Sequence, residues 1–305
     1  MNKRSLKFGV IALALTMVTA SFVGCASKSD DKASTNNNDK KQETTVAGSI
    51  TLSGSTALQP LADKAGANFT AKNKDAVINV QGGGSGTGLT QVLQGAVEIG
   101  NSDVTAEEKL KPEEASQLVD HKVAAIGFAL TVSKDVPVTS LTKAQIADIF
   151  SGKTTNWKDI DGKTDLPITV VHRPASSGTR ATFIKTVLDK KKELENDKIG
   201  VTQDANGSVK TALESTKGSI SYVALSYLLD AEAKKSLKTI AIDGVEPTKE
   251  NITSGKYIFW SWEHMYTKGE AKDLAKAYID YVMSDDNKKT ASDLGFITVG
   301  EMKVQ

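Results

Sequence analysis

The stretch Ile168-Thr169-Val170-Val171-His172-Arg173-Pro174-Ala175-Ser176-Ser177-Gly178-Thr179-Arg180-Ala181-Thr182-Phe183 sets the fold class. Ile168 to Val171 is apolar and β-branched, the composition of a strand. Phe183, Ile184, Val187 and Leu188 then recur at helical spacing. Between them lies a tight Ser/Gly loop, so the segment reads as strand, loop and helix. The loop from 172 to 183 holds the always-charged guanidinium of Arg173, hydroxyls, a glycine and a helix N-terminus with free N–H donors. That inventory suits a small oxyanion.

The same unit recurs upstream. Ile50-Thr51-Leu52 is a strand that leads through Gly54-Ser55-Thr56-Ala57 into a helix with Leu58, Leu61, Ala62, Ala65 and Phe69 on one face. Ser55 or Thr56 suits the N-cap, and Pro60 fits a first turn. Val77 to Val80 is a strand that runs into Gln81-Gly82-Gly83-Gly84-Ser85-Gly86-Thr87-Gly88 and a helix with Leu89, Val92 and Leu93. Five glycines in seven residues allow positive φ and a close approach to a ligand. Val97 to Asp103 is a third strand. Asp103 either caps a helix predicted over Thr105 to Lys111 or faces the ligand. A carboxylate belongs in an anion site only if the anion carries a proton that the carboxylate can accept.

Farther out, Val123 to Val132 is a long apolar run, and Tyr257 to Trp262 is a second. They are predicted to cross between two lobes, outward near 126 and back near 257. Helices are predicted over Thr142 to Phe150, Val209 to Glu214, Leu225 to Lys235, Glu270 to Met283 and Asp286 to Leu294. Strands are predicted over Ser219 to Val223 and Thr239 to Ile242. Trp157 reads as an anchor of a satellite core. Alternating strands and helices with short loops imply an α/β fold with the ligand at strand C-terminal ends. The predicted division is 48–126 plus 257–305 for lobe 1 and 127–256 for lobe 2.

The N-terminus reads as export machinery. Lys3, Arg4 and Lys7 form a basic region, and Phe8 to Val23 is an uncharged apolar run of 16 residues. Residues 1–24 are therefore a predicted signal peptide, too short for a transmembrane helix. Cys25, the only cysteine, follows directly and resembles a bacterial lipobox cysteine, which carries a diacylglyceryl group with palmitate as the acyl chain. Phe22 stands where such boxes usually hold Leu. Residues 25–47 are polar and lack aromatics, the composition of a disordered tether spanning about 25 Å. Together these features predict a lipid-anchored protein at the extracytoplasmic face of a bacterial membrane.

Charge and motifs exclude several classes. The formal net charge is +1, of which the leader carries three positive charges while the tether's four lysines offset its four acids. The folded part is thus left at −2, which argues against nucleic acid and for local donors rather than a global field. His121, His172 and His264 match no metal-ligand spacing, and no cofactor motif occurs. The glycine stretch fits neither a dinucleotide fingerprint nor a Walker loop. Gly-Lys-Thr at 152–154 and 162–164 lacks the upstream glycine, where Ala147 and Trp157 stand. Ser85 and Ser177 lack the Gly-x-Ser-x-Gly elbow of a hydrolase. Ser140 begins a Ser-x-x-Lys, but with no Lys-Thr-Gly it reads as a helix cap.

Taken together, Gly54 to Ala57, Gly82 to Gly88, Asn101-Ser102-Asp103 and Arg173 to Arg180 resemble the PstS-type phosphate-binding proteins. Ile149 to Trp157 and Phe259 to His264 are similar to further segments of that family. The resemblance spans about 48–300. It implies a two-lobed periplasmic-binding-protein fold (type II-like), with ligand in a hinged cleft, that acts without enzymatic activity. It also implies capture of inorganic phosphate for an ABC permease by a monomeric lipoprotein. Residue by residue, it implies contacts from Thr56 and the Ala57 N–H, from Ser85, from Arg173, and from Ser177, Gly178 and Thr179. Asp103 would accept a phosphate proton. Ser55 is a further candidate, and Arg180 reads either as an exposed arginine or as a group behind those contacts. Some members pair the arginine with an acid two residues later, where this chain has Ala175. The alternatives are another oxyanion such as sulfate or molybdate, a surface protein or a hydrolase on the same fold. Sulfate carries no proton at neutral pH and would meet Asp103 acceptor to acceptor.

Overall fold

The computed structural model describes residues 46–304. The predicted leader, Cys25 and all but the end of the tether lie outside the described residues. The described residues form one compact unit by their contacts.

Three strand–helix units open the fold. β1 (Gly48–Gly54) leads into α1 (Gln59–Lys72), β2 (Ala76–Gly83) into α2 (Ser85–Gln94), and β3 (Ile99–Ser102) into a 3₁₀ turn (Ala106–Glu108) and the short α3 (Pro112–Ala115). The helix predicted over 105–111 is therefore a 3₁₀ turn, and Pro112 starts the next helix at a position where its missing N–H costs nothing. Parallel pairing puts β1 between β2 and β3.

The apolar run at 123–132 is the inner part of one long strand, β4 (Leu118–Ser133). From Leu118↔Lys268 to Gly127↔Trp260 it pairs antiparallel with the nine residues of β10 (Trp260–Lys268), with Val123 left out at a bulge. From Phe128 onward it pairs with β8 (Ser219–Ala224) and β9 (Leu237–Ile242). Partners change at Gly127, where an added Cβ would lie 2.4 Å from Ile252. The remaining elements are β5 (Ser140–Leu141), α4 (Lys143–Phe150), α5 (Lys158–Asp161), β6 (Thr169–His172), α6 (Gly178–Thr186), β7 (Val201–Thr202), α7 (Asn206–Ser215), α8 (Ala231–Ser236), α9 (Lys249–Thr253), α10 (Asp273–Met283) and α11 (Asp285–Asp293). The sheet order is β2-β1-β3-β10-β4-β8-β6-β7, with β9 joining β4 to β5.

Several local expectations are corrected. The helix predicted over 225–235 is a 3₁₀ turn (Leu225–Tyr227) followed by α8, because Asp230 accepts from the Ala233 N–H and starts a new helix. Ser140 sits in β5 and does not cap; Thr142 caps α4 by accepting from the Gln145 N–H at 3.2 Å. Trp157 belongs to the principal core, fully buried, with its indole N–H on the Gly218 carbonyl at 3.0 Å. That core runs the length of the unit. Behind β6 it is aromatic, where Phe183 stacks on Tyr222 at 4.4 Å and packs against Phe150 at 4.7 Å. This packing fixes the base of α6, and with it the loop that opens the site.

Candidate functional site

Four helix N-termini meet at one buried point. The turn before α1 brings Ser55, Thr56 and Ala57; α2 begins at Ser85, α6 at Gly178 and α7 at Asn206. Each first turn has N–H groups without intrahelical acceptors, and the helix dipoles add positive potential. Ser55, Thr56, Ser85, Asp103, Arg173, Ser177 and Thr179 are all buried, Arg173 to 1% exposure.

Each hydroxyl is held in a way that decides which direction it faces. Thr56 Oγ1 accepts from Arg173 Nη2 at 3.2 Å, from the Asn206 N–H at 3.2 Å and from Asn206 Nδ2 at 3.0 Å. Three donors saturate its lone pairs, so its own hydrogen is left to donate. Ser85 Oγ accepts from the Asp103 N–H at 2.9 Å, and Ser177 Oγ caps α6 by accepting from the Arg180 N–H at 3.1 Å. Their hydrogens too are free. Thr179 differs: its hydroxyl donates to Asp103 Oδ2 at 2.9 Å, so only its backbone N–H, with that of Gly178, is free to donate. The Ala57 N–H is taken by Ser55 Oγ at 3.1 Å, which also accepts from Leu58 at 3.0 Å. Ser55 thus ties the turn together, although Leu58 and not Ser55 or Thr56 holds the formal N-cap position of α1.

Asp103 is not a helix cap. The first N–H of the 3₁₀ turn, on Ala106, is taken by the Tyr266 hydroxyl at 3.1 Å. Asp103 Oδ1 has no donor among the described residues, and Arg173 Nε and Nη1 have no acceptor. A buried guanidinium edge and a buried carboxylate oxygen, both unpartnered, suit an anion that bears a proton. Burial works against the charge on Arg173 and lowers its pKa, and the nearby Asp103 offsets part of this.

The orientation of Arg173 without an acid at 175 is explained by main-chain atoms. Arg173 Nη2 donates to the Asp204 carbonyl at 3.0 Å. Arg180, which is 8% exposed and so not the exposed arginine of one sequence reading, donates from Nη1 to the Arg173 carbonyl. Arg180 also bonds Asp197 at 2.9 Å and lies 3.9 Å from Glu195 Oε1. Its guanidinium is thus engaged by protein acceptors. Glu195 in turn accepts from the Tyr222 hydroxyl at 2.7 Å and contacts His172 Nδ1 at 3.1 Å. The Ala175 carbonyl accepts from Lys109 Nζ at 2.9 Å.

The glycines serve backbone contact across the site. Gly84, at φ +87, would put a Cβ 2.8 Å from the Ser176 carbonyl oxygen, and the Gly86 N–H donates to that same oxygen at 2.9 Å. At Gly178 an added Cβ would lie 2.1 Å from Ser85 Oγ and 2.8 Å from the Asp103 side chain. Three residues of the site escaped the sequence reading. Asn206 shows only as a helix start, Tyr227 donates to the Thr56 carbonyl at 2.8 Å from within a supposed helix, and Glu263 sits in an aromatic strand. Among the described residues no group of three or more His, Cys, Asp or Glu is placed to hold a metal. No described helix is long and apolar enough to cross a membrane.

Fold and site together define an extracytoplasmic-type binding protein for a small anion, built on the periplasmic-binding-protein fold. Residues 39–286 match the PBP superfamily domain. The chain is 45% identical to the phosphate-binding protein PstS of Bacillus subtilis (strain 168), covering all of this chain and 97% of that protein. It is 28% identical to PstS of Staphylococcus saprophyticus over 83% of this chain and 81% of that one. Among solved structures it is similar to a Clostridium perfringens substrate-binding protein assigned to phosphate ABC transport and solved with bound phosphate. That match has a TM-score of 0.74 and 31% identity, and covers 83% of this chain and 100% of that chain. The Vibrio cholerae ABC-type phosphate transport receptor matches with a TM-score of 0.64 and 27% identity, over 82% of this chain and 99% of that one. The chain belongs to the PBP superfamily and, within it, to the family of phosphate-binding PstS proteins.

Proposed function

We propose that this chain captures inorganic phosphate and hands it to an ABC permease, with Thr56, Ser85, Arg173, Ser177, Gly178 and Thr179 as donors and Asp103 as the acceptor of a phosphate proton. It acts as a binding protein and not as an enzyme. The observation that carries the site assignment is the pairing of unpartnered Arg173 N–H groups with an unpartnered Asp103 oxygen inside one buried cluster. Phosphate keeps a proton at neutral pH and sulfate keeps none, so only phosphate offers Asp103 a donor. An acceptor left facing an acceptor costs about 1–3 kcal/mol, more when charged. Charge-assisted hydrogen bonds worth roughly 1.5–3 kcal/mol each supply the affinity. In this arrangement Ser55 and Arg180 hold the loops rather than the ligand, and the Ala57 N–H reaches phosphate only by leaving Ser55 Oγ.

Two further parts complete the reading. The change of β4 partners at Gly127 supports a division into 48–126 plus 257–305 and 127–256, and hinge closure of such lobes would enclose the ligand. The lipobox-like Cys25 and its tether would hold a monomeric domain at the outer face of the membrane, next to the permease. Titration calorimetry with phosphate and sulfate tests the ligand assignment: phosphate binding at micromolar or tighter affinity is expected, with sulfate far weaker. Sulfate bound as tightly as phosphate, or no phosphate binding, overturns it. Asp103→Asn is expected to relax the preference at least tenfold, and an unchanged ratio would remove Asp103 from the ligand contacts.

A further inference from the structure

The Glu263 carboxyl is fully buried on β10, directly behind the site. One of its oxygens, Oε2, accepts weakly from Ser55 Oγ at 3.4 Å, and the other, Oε1, has no partner among the described residues. The antiparallel register of β3 and β10, with His264 opposite Ser102, sets Glu263 across from Asp103 at the next position, and Asp103 Oδ1 is likewise unpartnered among the described residues. Two carboxylates cannot share a buried contact with both oxygens bare, but a single proton between them satisfies both. We propose that Glu263 carries the proton of a carboxyl–carboxylate pair with Asp103 and thereby fixes Asp103 as the acceptor that selects a protonated anion. Glu263 is then a positioning residue for specificity, acting through Asp103 and not on the ligand.

The surroundings favour this division of roles. Asp103 receives the Thr179 hydroxyl and lies in the field of Arg173 and Lys109, which stabilise a negative charge there. Tyr227 stays neutral, its pKa pushed up to about 12 by burial above all, then by Asp63, with Asp103 a small addition. Among the described residues, Glu263 receives only the Ser55 hydroxyl. On its own strand, His264 turns to Asp120 of β4 at 2.8 Å, and Lys122 lies over the Trp262 ring. Burial above all, and then the Asp103 charge, push the Glu263 carboxyl well up from the usual carboxylate range. A carboxylate has room for several donors, so Asp103 can hold Thr179, Glu263 and a phosphate O–H together. Loss of the shared proton would leave two negative charges beside the anion.

This inference rests on Asp103 being the acceptor of the ligand proton, so the test carries a control for that assignment. Phosphate and sulfate affinities of the full chain are measured by calorimetry from pH 5 to 9 for wild type, Glu263→Leu, Glu263→Gln and Asp103→Asn, with a thermal melt of each. Glu263→Leu is expected to lower the phosphate-to-sulfate ratio about tenfold at pH 7, the effect of one lost hydrogen bond to a charged group. Glu263→Gln, whose amide N–H can still donate to Asp103, is expected to recover most of that ratio. It should also remove the part of the alkaline decline in phosphate affinity that comes from the pair losing its proton. A folded Glu263→Leu with the wild-type ratio, or a Glu263→Gln profile that keeps the full wild-type decline, overturns the proposal. If Asp103→Asn relaxes selectivity and the Glu263 variants do not, the role of Glu263 alone falls. If Asp103→Asn also leaves the ratio unchanged, the site assignment itself falls.

Discussion

Gly178 shows how much of the site depends on an absent atom. Its position allows Ser85, Asp103 and the start of α6 to meet, and any Cβ there would overlap Ser85 Oγ. Gly178→Ala is expected to weaken phosphate binding at least tenfold while leaving the helix itself intact, since alanine favours helix interiors. Calorimetry together with circular dichroism would check this; unchanged affinity would mean that the loop has room the structure does not show. At the same scale, the sequence signals Arg173, Ser177 and Asp103 by residue type and place, at strand ends and helix starts. It does not signal that the Thr179 hydroxyl faces Asp103 or that the Ala57 N–H is taken by Ser55. The first, at 2.9 Å across 76 positions, is set by packing; the second, at 3.1 Å, is a local serine turn that competes with an open N–H, and residue type alone does not rank the two.

Among the elements, the segment after β6 is the most informative. Strand, loop and helix are legible in it because β-branched composition, Ser177 as an N-cap and a helical apolar period agree. What holds the loop is not legible. Arg180 grips the Arg173 carbonyl and joins Glu195, Tyr222 and His172 in one buried network. Arg180→Met removes the only cation next to the buried Glu195 among these contacts and is expected to destabilise the protein by about 3 kcal/mol, as breaking a buried pair does. Urea unfolding measures this. Phosphate affinity should fall as well, because Arg173 loses the anchor on its carbonyl. A variant with wild-type stability would show that Asp197, itself more than half exposed, is the only partner that matters. The supposed helix at 225–235 failed for a related reason: Asp230 offers a cap that competes with continuing the helix, and local pattern alone does not rank the two.

On the scale of the whole molecule, β4 joins both parts of the sheet, and contacts between distant segments close over the site. Lys185 reaches Glu108 at 3.0 Å, Lys109 reaches the Ala175 carbonyl, and the Gly86 N–H reaches Ser176. The ion pair is partly exposed and contributes little by itself. Phosphate is expected to stabilise the folded protein by about 2.7 kcal/mol at a hundredfold excess over Kd, read as a rise in melting temperature. Without ligand, Glu263 gives stability a pH dependence. Its folded pKa is raised above 4.5, so between 4.5 and that raised value the unfolded chain binds fewer protons and stability falls as pH increases. Glu263→Gln should lack this component, which denaturant unfolding at several pH values would show.

The sequence by itself determined the α/β alternation, the three loops that carry the donors, the acid at 103 and the family. Each rests on periodicity, turn chemistry or a contiguous motif, which are local quantities. Only the tertiary structure decided which donors remain free, what orients Arg173 without an acid at 175, and that Asn206, Tyr227 and Glu263 belong to the site. The physical reason is that a buried polar atom is defined by the partners that other segments bring to it. Asp103 and Glu263 are 160 residues apart in the chain, and they face each other only because β3 and β10 pair side by side.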